Sequence, residues 1–192
     1  MTAAFLQRRK METVRSFVSI GIPEMPAIAD TQEKLRGIPG VGVPKEAHLT
    51  LRFLGDVDEK KIKELSARMR SLESCKTFGV SVKGLGAFPN NRDPRVVWIG
   101  AELGDPFPSI LSDLDRMLDS LSIQYDRKPF KAHVTVGRVK TTSKPLTEFL
   151  DKGRGLEAGT FVCSEIFLMG SELTPRGAVH SVIDTFRLNG GP

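Results

Sequence analysis

Along this chain, apolar and polar positions alternate in pairs in some stretches and recur every three to four residues in others. Residues 15–23 put Val18, Ile20 and Ile22 on one side and Phe17 and Ser19 on the other, the pattern of a half-buried strand closed by a proline. Residues 48–55 alternate strictly, with Leu49, Leu51 and Phe53 opposed to His48, Thr50 and Arg52. Residues 130–137 form a third such stretch around His133 and Thr135. Further strands are expected near 78–83, 95–101, 160–169 and 179–188, with a turn region over 84–94. Helical spacing covers 26–36 up to Gly37, the stripe Ile62, Leu65, Met69 and Leu72 behind an Asp58 N-cap, and the stripe Ile110, Leu114, Met117 and Leu121 behind Asp105-Pro106. A short helix is expected near 146–150.

This order reads strand–helix–strand–helix–strand, twice. It predicts an α+β fold of two pseudo-symmetric lobes, each an antiparallel sheet backed by helices, around a central cleft. The domain should cover 15–192, with duplicated halves near 15–94 and 95–188, and residues 1–14 should form a flexible extension.

A length of 192 residues needs no disulfide or metal to hold a core, and 40% hydrophobic with 27% charged residues excludes a mainly disordered chain. No apolar run approaches the ~18 residues that cross a bilayer, and no secretory leader is expected; the reading is a cytoplasmic protein, expected to be monomeric, without a membrane partner. A net charge of +5 favours a polyanionic partner without requiring one. Cys75 and Cys163 form no CxxC pair and are expected to be buried free thiols.

The repeated order places one tripeptide pattern twice. His48-Leu49-Thr50 and His133-Val134-Thr135 both read His-apolar-Thr, 133 − 48 = 85 positions apart. Side chains at i and i+2 share a strand face, so each histidine has a threonine beside it. If the halves meet across a pseudo-two-fold axis, two imidazoles and two hydroxyls converge. That set suits phosphate-ester chemistry: one imidazole takes a proton from the nucleophile, the other gives one to the leaving oxygen, and the hydroxyls donate to non-bridging oxygens. Neither a metal nor a cofactor is expected, since a divalent ion usually wants a third protein ligand and neither motif carries Asp or Glu. Arg52 and Lys131 share the histidine faces and are candidate anion contacts. Phe17, opposite the Val18/Ile20/Ile22 face, is a candidate for base stacking. His180 has no such partner and is assigned a structural or peripheral place.

The segments RSFVSIGIP, HLTLRFLGDV, GLGAFPNNRDPRVVWIGAEL, RKPFKAHVTVGRV and LMGSELTPRGAVHSVIDTF, spread over 15–188, resemble the two-histidine phosphoesterases, specifically the RNA 2′,3′-cyclic phosphodiesterases also called 2′-5′ RNA ligases. The chain departs from that pattern at Ala132, where proline is usual, and at His180, near which an aromatic residue is frequent. The resemblance implies metal-independent opening of a terminal RNA 2′,3′-cyclic phosphate to a 2′-phosphate, and, for some members, reversible 2′-5′ ligation. It implies His133 as the base that activates water, His48 as the acid for the 3′ oxygen, and Thr50, Thr135 and Arg138 as phosphate contacts. Strict alternation sets Arg138 opposite His133, so its contact needs a twist or bulge after Gly137. Two alternatives stay open: a two-histidine phosphodiesterase trimming RNA 3′ ends, and an RNA-binding module without turnover.

Overall fold

Where the sequence alternates, the chain runs as strand in the computed structural model, which describes residues 12–175 and 177–190. Among these residues the elements are β1 (Thr13–Gly21), α1 (Pro26–Arg36), β2 (Val41–Gly42), β3 (His48–Asp58), α2 (Glu59–Met69), β4 (Phe78–Phe88), β5 (Val96–Leu103), α3 (Phe107–Ser120), β6 (His133–Val139), α4 (Lys144–Lys152), β7 (Glu157–Cys163), β8 (Glu165–Thr174) and β9 (Gly177–Arg187). The extension expected over 1–14 lies outside the described residues as far as 11, and Thr13 and Val14 already belong to β1.

Local chemistry explains most of these boundaries. The Asp58 carboxylate accepts a hydrogen bond from the Lys60 N–H at 2.7 Å, so α2 has the cap its sequence announces. Its stripe of Ile62, Leu65 and Met69 is buried against β1, β3 and α3. The start of α3 differs from expectation: Pro106 takes the N-cap position, and Asp105 does not cap the helix. The first turn is closed by backbone, Phe107 N–H donating to the Gly104 carbonyl at 3.0 Å, which leaves no work for a side-chain cap. The expected turn over 84–94 is shorter, because β4 continues through Gly84, whose φ of +73° accommodates a bulge, to Phe88. The strand expected over 160–169 is two strands that part at Ser164.

That break carries the chain across the molecule. All the strands lie in one curled antiparallel sheet, ordered β7-β4-β5-β6-β3-β1-β8-β9, with β2 on β6. Apart from β2, four strands stand on each side of the β3/β6 junction, so the two lobes belong to one sheet. They do not follow chain order: β4 sits between β5 and β7 in one lobe, while β8 and β9 return to β1 in the other. Sequence halves 15–94 and 95–188 are therefore interleaved in space. Helices cover both lobes: α1 sets Ile28 and Leu35 against β6 and β7 and α4 packs Leu146 and Leu150 on the β4 side of one, while α2 lies on β1 and β3 of the other. Cys75 and Cys163 are free thiols, Cys163 buried and Cys75 partly so.

Candidate active site

The two His-x-Thr segments meet at the junction between the lobes. Leu49 pairs with Val134 in antiparallel register, and both side chains are fully buried on the core face. One step along each strand in either direction sets His48 across from Thr135 and Thr50 across from His133, on the face away from the core. The arrangement has two-fold character by construction, since exchanging the strands exchanges like residues. All four side chains are half-buried, shielded from bulk water but reachable.

A bulge immediately after each motif determines what stands beyond it. On β3, Thr50 pairs with Ser19 and Arg52 with Val18, so Leu51 is an extra residue. On β6, Thr135 pairs with Trp98 and Gly137 with Val97, so Val136 is an extra residue at the same step. Each bulge inverts the alternation downstream. Arg138 is thereby returned to the histidine face, and the bulge that does this lies before Gly137 rather than after it. Its guanidinium is near enough to His48 to disfavour a proton on that imidazole.

The same device on β3 overturns two expectations. Arg52 is buried, at 9% exposure, and makes a bidentate pair with the Asp115 carboxylate (Nε–Oδ1 2.7 Å, Nη2–Oδ2 2.8 Å). Engaged by that partner and packed against the Tyr125 and Phe130 rings, it is not an anion contact of the cleft. Phe53, expected in the core, is 43% exposed and carries the Arg15 guanidinium 4.6 Å from its ring centre. Phe53 is directly paired with Phe17, so both rings lie on the cleft face. Phe17 itself is only 2% exposed, too covered to stack on a base. The neighbouring Phe53 offers the open ring that alternation assigns to Phe17. Aligning His48–Phe53 with His133–Arg138 sets Arg52 against Gly137 and Phe53 against Arg138, the one signal in the sequence that could have revealed the exchange.

Rings support both imidazoles from behind. Phe17 lies 5.1 Å from His48 between ring centres, and Phe88 lies edge-on to His133 at 5.0 Å. His180, expected at the periphery, is in the site: its ring stands edge-on to His48 at 5.2 Å and to Phe17 at 5.0 Å. Lys131 is adjacent to the site in an unexpected way. Its carbonyl accepts a hydrogen bond from His133 Nδ1 at 2.7 Å, while its ammonium lies over the Trp98 and Phe88 rings at 4.4 and 5.2 Å. Gly86 makes room for this stack, since a methyl there would run into the Trp98 ring.

These surroundings set the proton affinities. Burial, then the His180, Arg138 and His133 charges, push His48 from 6.5 down to about 4. Burial also lowers His133, but the hydrogen bond to the Lys131 carbonyl works in the opposite direction and favours its charged form. Because a carbonyl can only accept, Nδ1 of His133 carries the hydrogen in the neutral ring, leaving the lone pair on Nε2. Among the described residues, no group of three or more His, Cys, Asp and Glu side chains is placed to hold a metal ion.

Comparison with known proteins adds three findings. Residues 20–98 match the family described as LigT like Phosphoesterase. The RNA 2′,3′-cyclic phosphodiesterases of Methanothermobacter thermautotrophicus and Methanocaldococcus jannaschii are 34% and 36% identical to this chain, across 91% and 88% of it and 99% and 98% of their own lengths. A crystal structure from Thermus thermophilus superposes with a TM-score of 0.80 at 29% identity, covering 92% of this chain and 98% of that one. Escherichia coli LigT complexed with 3′-AMP shares the fold, with a TM-score of 0.69 at 22% identity over 92% and 99% of the two chains.

Proposed function

Because this chain belongs to the LigT-like phosphoesterases, in the group of RNA 2′,3′-cyclic phosphodiesterases, we propose that it hydrolyses the 2′,3′-cyclic phosphate at an RNA end to a 2′-phosphate, with the paired His-x-Thr motifs as its catalytic centre. The carrying observation is the Leu49–Val134 junction, which brings both motifs to one face in opposed directions.

His133, its tautomer held by the Lys131 carbonyl, takes a proton from water through Nε2 as the water oxygen bonds to phosphorus. The P–O3′ bond breaks, and His48 delivers a proton to the departing 3′ oxygen, leaving a 3′-hydroxyl and a 2′-phosphate. Thr50 and Thr135 donate to the non-bridging oxygens where negative charge builds, and Arg138 balances that charge. In the free protein His48 is held neutral; an anionic phosphate bound against it opposes that depression and favours the proton the acid needs. Phe53 stacks on the terminal base. The enzyme works in the cytoplasm, a reading supported by its free thiols.

The test is incubation with an oligoribonucleotide ending in a 2′,3′-cyclic phosphate, in excess chelator, with separation of 2′- from 3′-phosphate products. The expected result is a 2′-phosphate at undiminished rate. A 3′-phosphate product, or activity that disappears with chelator and returns with a divalent ion, would contradict the proposal.

A further inference from the structure

His180 is the third imidazole of the site and has no part in the reaction as derived above. It reaches His48 through long-range pairing: His180 lies opposite Ser171 on β8, and β8 lies beside β1. β9 is fastened to the helical side by Asp184, which receives hydrogen bonds from Ser66 and Arg70. The result is three rings in mutual contact, His48, Phe17 and His180, all pairs between 5.0 and 5.2 Å. Nδ1 of His180 is buried without a hydrogen-bond partner. A phenylalanine would make the same edge contacts without stranding a nitrogen, so packing alone does not account for an imidazole here.

Resting on the catalytic reading of His48, we propose that His180 is a positioning residue for the reaction, acting through His48: its edge-on ring holds the plane of the His48 imidazole and biases how that imidazole holds its proton. Among the described residues, the titratable or charged groups acting on His48 are His180 from β9 and Arg138 and His133 from β6, while β1 presents Phe17; Ser171 on β8 lies opposite His180. The His180 charge stands second only to burial among the influences that disfavour a proton on His48, ahead of Arg138.

The experiment pairs two variants, His180→Phe and His180→Gln, with two readouts. Histidine ring resonances followed by NMR against pH report the His48 midpoint directly, and kcat/KM against pH is measured on a dinucleotide ending in a 2′,3′-cyclic phosphate. Both variants remove the His180 charge that disfavours a proton on His48, so the His48 midpoint should rise by roughly 0.6 pH unit or more, the displacement exerted by unit charges about 5 Å apart even at the dielectric of water. The kcat/KM limb belonging to His48 should move with it. His180→Phe, which keeps the edge contact, should retain more kcat than His180→Gln. An unmoved His48 midpoint in both variants overturns the proposal, even where activity falls, because lost packing alone would then explain the loss. His48→Ala separates the two readings. If that variant is inactive and the midpoint is unmoved, only the present inference fails; full activity in His48→Ala would remove the catalytic reading and this inference with it.

Discussion

His48 and His133 occupy equivalent steps of β3 and β6, and their surroundings differ in almost every respect. His48 is packed by two rings and is driven down to about 4 by burial and by the charges of His180 and Arg138. His133 is packed by one ring and has a carbonyl holding its Nδ1–H, which supports the charged form that burial opposes. The lesson is that a duplicated motif supplies a symmetric frame, while what the rest of the chain places behind each copy gives the two imidazoles different proton affinities. The asymmetry continues one turn of the pleat further on, where Phe53 on one strand answers Arg138 on the other.

The strongest way to break this comparison is to delete each imidazole in turn. His48→Ala and His133→Ala should each lose about 10²–10⁴ in kcat/KM. A cyclic ester whose 3′ leaving group needs no protonation should restore His48→Ala and leave His133→Ala impaired; the reverse result would exchange the two roles.

Phe17 and Phe53, opposite one another on neighbouring strands, should separate stability from binding. Phe17→Ala removes a buried ring and should cost about 3 kcal/mol in urea unfolding. Phe53→Ala should leave the unfolding curve nearly unchanged and raise KM for the RNA end roughly tenfold, the weight of one stacked base. A comparable stability loss in both would show that Phe53 belongs to the core.

The two arginines sharpen the contrast further. Arg52→Ala strands the half-buried Asp115 carboxylate and should destabilise the fold by about 2 kcal/mol. Arg138→Ala should keep its unfolding midpoint and lose kcat/KM instead.

The effect confined to acid pH, and so smallest under ordinary conditions, is on stability. Both imidazoles have folded proton affinities below the ordinary value, so on acidification the unfolded chain binds protons that the folded one refuses. Stability should therefore be fully present above about 6.5 and decline as the pH falls toward 4, with His48 contributing most of the slope. Unfolding midpoints measured across that window should flatten in His48→Gln; an unchanged slope would assign the effect to other groups.

Much of this is legible along the chain. Period-two alternation locates β1, β3 and β6 because each sets its aliphatic residues on one face, although β1, expected half-buried, is covered on both, and the paired His-x-Thr segments stand out against it. Three features are not legible, for a common reason: they depend on which strand lies next door. A bulge is a mismatch between partners, so nothing local in Leu51 or Val136 announces one, and alternation counted straight through them misplaces Arg52 and Phe53. His180 meets His48 although β1 and β8 lie between their strands, so the contact exists only once the whole lobe is assembled. The interleaving of the sequence halves is likewise a property of pairing. Alternation puts Phe17 on the correct face, but how deeply a ring is covered depends on side chains from distant segments.

The matched bulges also have a consequence for how such an enzyme can be altered. Adjacent residues after each bulge answer to separate demands: 52 and 137 are inherited by the interior, 53 and 138 by whatever enters the cleft. Substitutions at 53 or 138 can therefore change the surface of the cleft while the interior stays as it was, and repair of the interior at 52 can proceed without disturbing that surface. Two one-residue insertions thus make adaptation and folding separately adjustable at neighbouring codons.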